Sequence, residues 1–169
     1  MKIAIAGAHR VGKTTLAEKL LESLPGYDYK PEPYLELEET GYRFSETPTL
    51  DDFIVQLEYS IEQVSESGSN VLFDRCPIDI LAYMHAVDDS ANIQTYFHNV
   101  ESIMSEIDLL VFVPIEKPDR ISCPESELPQ LRYKVNEILS EWISDFDIRT
   151  IEVHGDLPSR CEQVMKMIL

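Results

Sequence analysis

Positive charge is what this sequence has least of. Its 14 Lys and Arg face 31 Asp and Glu, leaving a net charge of −17 over 169 residues. A surface this acidic repels polyanions, so long nucleic acid and anionic membranes are not expected partners. A phosphate ligand must then find positive charge in one local site, supplied by few residues. Long apolar runs are also missing. None approaches the roughly 20 residues that span a bilayer, and Met1 leads directly into a strand-like run with no secretory leader. Cysteine is sparse: Cys76, Cys123 and Cys161 are widely spaced, odd in number and without metal-ligand spacing. That predicts reduced thiols and a soluble, cytoplasmic protein. His85, His98 and His154 have no His, Cys or acid at the spacing of a structural zinc site. No Ser-His-Asp arrangement stands out, and the Asn-Lys-x-Asp of guanine recognition does not occur. Without repeats, linkers or low-complexity segments, residues 1–169 read as one domain, long enough to bury a sizeable core.

Against these absences stands one specific pattern. Gly7-Ala8-His9-Arg10-Val11-Gly12-Lys13-Thr14 fits G-x-x-x-x-G-K-[ST], the phosphate-binding loop. Its surroundings suit the motif: Ile3–Ala6 reads as a buried strand, and Thr15–Leu21 reads as a helix. Strand, loop and helix together aim unpaired backbone N–H groups and a positive helix end at an anion. Gly7 to Thr15 are therefore the candidate nucleotide-binding residues. Lys13 is placed to reach the outer phosphates, and the Thr14 hydroxyl to complete the coordination of Mg²⁺.

The rest of the chain alternates strand and helix. The first helix spans Lys13 to Leu24, with Leu16, Leu20 and Leu24 one turn apart, and Pro25-Gly26 stops it. Tyr27–Lys30 reads as a short strand, and Pro31 and Pro33 hold the chain around Glu32 extended and deny it a helix. Tyr34 to Pro48 has no clear period and is expected to be a mobile or ligand-covering segment. Thr49 caps a helix with Phe53, Leu57, Ile61 and Val64 on its apolar face, ending near Gly68, with Gln56, Tyr59 and Gln63 on its flank. Asn70–Asp74 is a second buried strand ending in an acid, and Pro77 opens the next helix. A further helix follows around Ile93 to Ile107, then a strand at Leu109–Val113 and a loop from Ile115 to Leu128. A helix from Pro129 to about Asp145, a last strand at Ile148–Val153 and a helix from Pro158 to Leu169 complete the pattern, the last burying Cys161, Val164, Met165 and Ile168. Continuous apolar strands alternating with helices predict an α/β three-layer sandwich around a parallel sheet. In such sheets ligands sit beyond the carboxyl ends of the strands. That rule gathers the loop, Glu32, Asp74-Arg75, the segment after Val113 and His154-Gly155 on one rim.

Each of these residue types has chemistry to offer. Asp74 at a strand end resembles an acid that holds Mg²⁺ directly or through water, with capping of the next helix as the alternative. Arg75 can pair a phosphate or substrate oxygen in bidentate fashion. Arg120 in the loop and Arg132 on the following helix are candidates to neutralise charge on a transferring phosphoryl group, or else are surface charges. Glu32 is the candidate base for a substrate hydroxyl, or a hydrogen-bond partner for a sugar, with Asp74 its rival. His9, inside the loop, is expected to turn back toward the sheet or a cap and to have no catalytic role.

Taken together, Gly7-Ala8-His9-x-x-Gly12-Lys13-Thr14-Thr15, Glu32-Pro33 and Phe73-Asp74-Arg75-Cys76-Pro77-x-Asp79-x-Leu81-Ala82-Tyr83 resemble the P-loop nucleoside and nucleotide kinase superfamily. They are similar in particular to small AAA-type ATPase/kinase domains, including nicotinamide-riboside kinase-like domains. The resemblance implies a five-stranded parallel core, ATP with Mg²⁺, and a lid after the fourth strand, here short and at about 115–128. It also implies that Glu32 and Arg75 meet the phosphate acceptor, that Gln56 reads a base or amide, that Arg120 is a lid arginine, and that Gly155 belongs to an adenine-binding loop. The lid departs from the pattern, with Cys123 and Pro124 inside it and one Arg, unless Arg132 serves. Two readings follow: a small-molecule kinase that moves the γ-phosphate of ATP to a nucleoside or nucleotide, as a monomer or homodimer, or a P-loop ATPase or NTP-sensing module without its own acceptor. The charge of −17 disfavours a polynucleotide kinase.

Overall fold

Five short apolar segments carry the architecture. In the computed structural model, which describes residues 1–168, they are β1 (Lys2–Ala6), β2 (Asp28–Lys30), β3 (Val71–Asp74), β4 (Leu109–Phe112) and β5 (Thr150–Glu152). They form one parallel sheet in the order β2-β3-β1-β4-β5. The three central strands are buried on both faces, which explains why they read as unbroken apolar runs. Between and after the strands come α1 (Lys13–Leu21), α2 (Pro33–Glu39), α3 (Leu50–Glu66), α4 (Pro77–Val87), α5 (Gln94–Met104), α6 (Pro129–Trp142) and α7 (Leu157–Ile168). α1 packs with α7, while α4 packs with α3, α5 and α6, so the sheet is sandwiched between two helical layers. The predicted three-layer parallel α/β fold is the fold observed.

Register places the chemistry. Ile5 of β1 lies beside Asp74 of β3, and Ala6 lies beside Phe112 of β4. The parallel strands therefore deliver Gly7, Asp74 and Val113 to a common rim.

The structure corrects the segment after β2. Glu32 has the extended backbone expected of it, at φ −54° and ψ 136°, but it is the N-cap of α2, and Pro33 is that helix's first residue. Proline lacks an N–H that the first turn does not use, so it starts the helix instead of preventing it. Several elements are shorter than predicted: α1 ends at Leu21, β5 begins at Thr150, and α6 gives way at Ile143–Asp145 to one 3₁₀ turn. In α7, Val164 is buried as expected, but Cys161, Met165 and Ile168 are half-buried, and Arg160 is buried instead. Leu169 lies outside the described residues. The cap predicted at Thr49 is present: its hydroxyl accepts from the Asp52 N–H, and the Asp52 carboxylate accepts from the Thr49 N–H across the first turn of α3. Between β4 and α6 the chain is irregular apart from a single 3₁₀ turn, Glu125–Glu127.

Candidate active site

The loop between β1 and α1 is shaped by contacts that leave little choice of residue. Gly7 runs so close to the end of β4 that a Cβ there would lie 2.5 Å from the Val113 carbonyl oxygen. Gly12, at φ 90°, caps α1 from the left-handed region that glycine enters without penalty. The Gly7 N–H donates to Asp79 Oδ1 at 2.7 Å, and the Cys76 N–H donates to Asp79 Oδ2 at 3.0 Å. Asp79 is fully buried in the first turn of α4, so it ties the loop to the helix that follows β3. Burial raises its pKa, against the pull of Arg75 and Lys13.

Two buried arginines hold the loop from its carbonyl side. Arg132 donates to the carbonyls of His9 and Arg10, both at 2.9 Å, and forms an ion pair with Asp119. Arg160 donates to the Val11 carbonyl at 2.8 Å and to Glu116 at 3.0 Å. Three successive loop carbonyls, His9, Arg10 and Val11, are thus held by guanidinium groups.

In front of the loop, Lys13 is buried and donates to the Ala8 carbonyl at 2.8 Å, with Glu32 Oε1 3.9 Å away. Burial lowers its pKa, helped by the nearby Arg75 charge and opposed by Glu32. The Thr14 hydroxyl donates to Asp74 Oδ2 at 2.5 Å, and the Tyr29 hydroxyl to the same oxygen at 3.1 Å. Asp74 Oδ1 is buried with no partner. Burial raises the pKa of Asp74, with Lys13 pulling the other way. A carboxylate oxygen left orphaned beside a threonine hydroxyl fits a hard divalent cation, which the rest of its shell would reach through phosphates and water. Among the described residues no cluster of three or more His, Cys, Asp or Glu could hold a metal by protein alone. A Mg²⁺ that arrives with a nucleotide suits this donor set.

Across from the loop, Arg75 meets Glu32 through two contacts, Nε to Oε2 at 3.2 Å and Nη2 to Oε1 at 3.4 Å. Arg75 adopts φ 79° and lies 5.0 Å above the Tyr83 ring. Burial alone would raise the pKa of Glu32, but Arg75 and then Lys13 outweigh it and bring it down to about 2. Glu32 is therefore ionised throughout the neutral range. Beside this pair opens a cavity of about 340 Å³, walled by Glu32 and Arg75, by Phe53 and Gln56 of α3, by Tyr83 of α4 and by Leu128 after β4. Phe53 and Tyr83 stack at 5.2 Å between ring centres.

His9 joins three parts of the site. Its ring Nδ1 lies 2.7 Å from the Tyr83 hydroxyl and its Nε2 2.6 Å from the Glu127 carbonyl, while its backbone N–H donates to Tyr83 at 2.8 Å. The Tyr83 O–H therefore donates to Nδ1, and the neutral ring carries its proton on Nε2. Burial lowers the His9 pKa, with Arg75, Lys13 and Arg132 adding to the effect. Arg10 reaches the same region, pairing with both carboxylate oxygens of Glu127 at 2.8 Å.

Of the residues predicted from sequence, Lys13, Thr14, Glu32, Asp74 and Arg75 converge in front of the loop. Arg132 does not join them, because its guanidinium is buried against loop carbonyls and Asp119. Arg120 is half-exposed and paired with Glu116 at 2.5 Å. Gly155 lies by α7, its N–H donating to Glu116 at 2.7 Å. Ala8, Val11 and Gly12 sit in the loop, with Thr15 exposed in the first turn of α1. Sequence reasoning gave no role to Asp79, Tyr83, Tyr29 or Arg160. For Asp79 a signal existed in its place two residues after Pro77, the reach-back position of a helix cap. For Arg160 none did.

Comparisons with known proteins bear on the family and the fold. The sequence model of a family described as an AAA domain matches residues 2–160. No curated protein matches the sequence. Among solved structures, deoxyadenosine kinase from M. mycoides with bound dATP superimposes with a TM-score of 0.74 at 21% identity, covering 99% of each chain. Thymidylate kinase from Candida albicans gives a TM-score of 0.67 at 20% identity, over 98% of this chain and 89% of that one. The NadR protein in complex with NAD and AMP-PNP gives 0.73 at 18% identity, over 98% of this chain but 48% of its own length. These likenesses show a shared fold.

Proposed function

The chain belongs to the AAA domain family whose sequence model it matches, and from that premise we propose that it is a kinase, moving the γ-phosphate of ATP to a hydroxyl of a nucleoside or nucleotide. The single domain spans the chain, with 115–128 as a short lid. The observation that carries this reading is the ionised Glu32–Arg75 pair, 3.9 Å from the loop lysine and opening on a walled cavity. An NTP hydrolase has no need of an acid and an arginine locked together at the head of an acceptor-sized pocket. Structural likeness to deoxyadenosine and thymidylate kinases supports the same reading.

The residues divide the work. The loop N–H groups and Lys13 bind the β- and γ-phosphates, and the positive end of α1 adds to their field. Thr14 and Asp74 would hold Mg²⁺, which would neutralise phosphate charge when bound. The acceptor hydroxyl lies against Glu32. As its oxygen forms the new bond to the γ-phosphorus, the bond to the bridging β–γ oxygen breaks, ADP leaves, and the hydroxyl proton passes to the Glu32 carboxylate. Phosphate oxygens near Lys13 draw that cation away from Glu32 and so raise the basicity of the carboxylate when the nucleotide is in place. Arg75 orients Glu32 and the acceptor oxygen. His9, Arg10 and Arg132 position the loop and lid.

The test is to incubate the protein with ATP, Mg²⁺ and a panel of nucleosides and nucleotides, following ADP and phosphorylated acceptor together. Transfer that depends on an acceptor supports the kinase. ADP release at the same rate with and without every panel member, and with no phosphorylated product, overturns it in favour of an acceptor-free ATPase.

A further inference from the structure

The cavity beside Glu32 has a charge that phosphotransfer alone does not require. Four carboxylates line it: Glu32, Glu46, Asp52 and Glu127. Among the described residues on its wall, the basic side chains are His9 and Arg75. His9 is kept neutral by burial, and Arg75 is already paired with Glu32. Asp52 is buried, yet it stays charged. It accepts from the Thr49 hydroxyl at 2.8 Å, the Ser45 N–H at 3.3 Å and the Tyr42 hydroxyl at 3.2 Å, and these bonds outweigh burial and lower its pKa. Glu127 is balanced by Arg10. Glu46 is exposed at the cavity, and the structure gives it no ion pair or hydrogen bond. The remaining wall is largely aromatic and aliphatic, with Gln56, Ser45 and Ser126 as its polar members; Tyr34 and Phe44 stack at 4.3 Å, and Phe53 and Tyr83 at 5.2 Å.

A phosphate entering with the acceptor would need an unpaired guanidinium or ammonium to take its charge. This wall supplies carboxylates instead, and like charges in a partly desolvated pocket repel strongly. Resting on the kinase reading above, we propose that the acceptor site selects by charge: it takes a nucleoside whose sugar hydroxyls are free and whose base is neutral or cationic, and it excludes nucleoside 5′-monophosphates. Glu46 and Asp52 are the excluding residues. Within the wider class of nucleoside and nucleotide acceptors, this places the protein at the first phosphorylation, and the reaction class that consumes its product is one that acts on a nucleoside monophosphate.

The experiment uses matched pairs, each nucleoside beside its own 5′-monophosphate, in two measurements: transfer from ATP, and binding by calorimetry without ATP. The expected result is a kcat/KM at least tenfold higher for the nucleoside, with binding ordered the same way. Glu46→Lys, which reverses the charge of the one lining carboxylate with no ion pair or hydrogen bond, is expected to narrow that ratio several-fold by improving monophosphates. Glu46→Gln should fall between. A monophosphate that binds and reacts as well as its nucleoside overturns the charge selection and leaves the kinase standing. A ratio unmoved by Glu46→Lys, with an unchanged circular dichroism spectrum, overturns the role of Glu46 and with it the proposal as stated. Failure of both members of every pair to bind or react, with ADP still released, overturns the kinase reading itself.

Discussion

The two faces of the phosphate loop are built from the same kinds of charge and put them to opposite uses. Behind the loop, Arg132 and Arg160 are buried against carbonyls and against Asp119 and Glu116, so that nearly every donor has a partner. In front, Asp74 has an oxygen with none, and Lys13 holds one carbonyl and stands off from Glu32 at 3.9 Å. Satisfied charges make a scaffold, whereas charges left short of partners make a place for a ligand. A buried polar atom without a partner is disfavoured in a folded chain, so the orphaned Asp74 Oδ1 needs a compensating occupant. Arg160 behind the loop has an unpaired Nε but keeps partners for both its terminal nitrogens. Burial does not separate the two sets, since Lys13 and Arg132 are both inaccessible. Partnership does.

That contrast can be broken by exchanging which face is damaged. Lys13→Ala removes the front-face cation and is expected to lower kcat/KM for ATP turnover by about a thousandfold or more, roughly 4 kcal/mol. Its melting temperature should stay close to the parent's, because the group removed has one carbonyl as its hydrogen-bond partner. Glu32→Gln keeps the shape and removes the base. ATP binding, followed by calorimetry, should be spared while transfer falls some hundredfold or more, in the range of 3–4 kcal/mol. A normal transfer rate in that variant would remove Glu32 from the chemistry.

Damage to the rear should read out differently. Arg132→Met leaves the part-buried carbonyls of His9 and Arg10 without their donor, and stranding two such acceptors costs about 3 kcal/mol of stability. For a chain of this length that is about 10 °C in Tm, with nucleotide binding weakened only as the loop loosens. If Arg132→Met abolished turnover with Tm unchanged, the division between the faces would be wrong at this residue.

The smallest effect is a matter of pH. Burial holds the His9 pKa below 6.5, so on acidification the unfolded chain takes up this proton before the folded one does. Stability from this group is undiminished above pH 6.5, declines as pH falls through that value, and stops declining below the folded-state pKa. Protonation would also set a second N–H against the Tyr83 hydroxyl that now donates to Nδ1. Melting curves from pH 7 to 5 should therefore fall more steeply in the parent than in His9→Gln.

The sequence and the structure agree where signals are local. The loop motif announces itself in eight consecutive residues, and the central strands announce themselves as apolar runs because both faces are covered. Asp74 and Arg75 follow at once from the end of such a run. Arg132 was visible as a candidate, but its direction was not, because the carbonyl it binds is 123 residues away. Arg160 and Glu116 meet across 44 residues with no periodic trace. α2 escaped notice because Pro31 and Pro33 read as breakers, and only the position of Pro33 inside the first turn turns it into a starter. The wall of the cavity, drawn from α2, α3, α4 and the segment before α6, is a product of packing that no single window contains.

The narrow gap between Gly7 and Val113 bears on how tightly a nucleotide can be held. With no room for even a methyl group between the loop and the end of β4, the loop takes its shape from the most deeply buried part of the sheet. Its amides are thus set before any nucleotide arrives. A flexible loop would give up conformational freedom on binding, at a penalty subtracted from affinity. Here that freedom was surrendered when the chain folded, and the attraction between amides and phosphate is left largely undiminished.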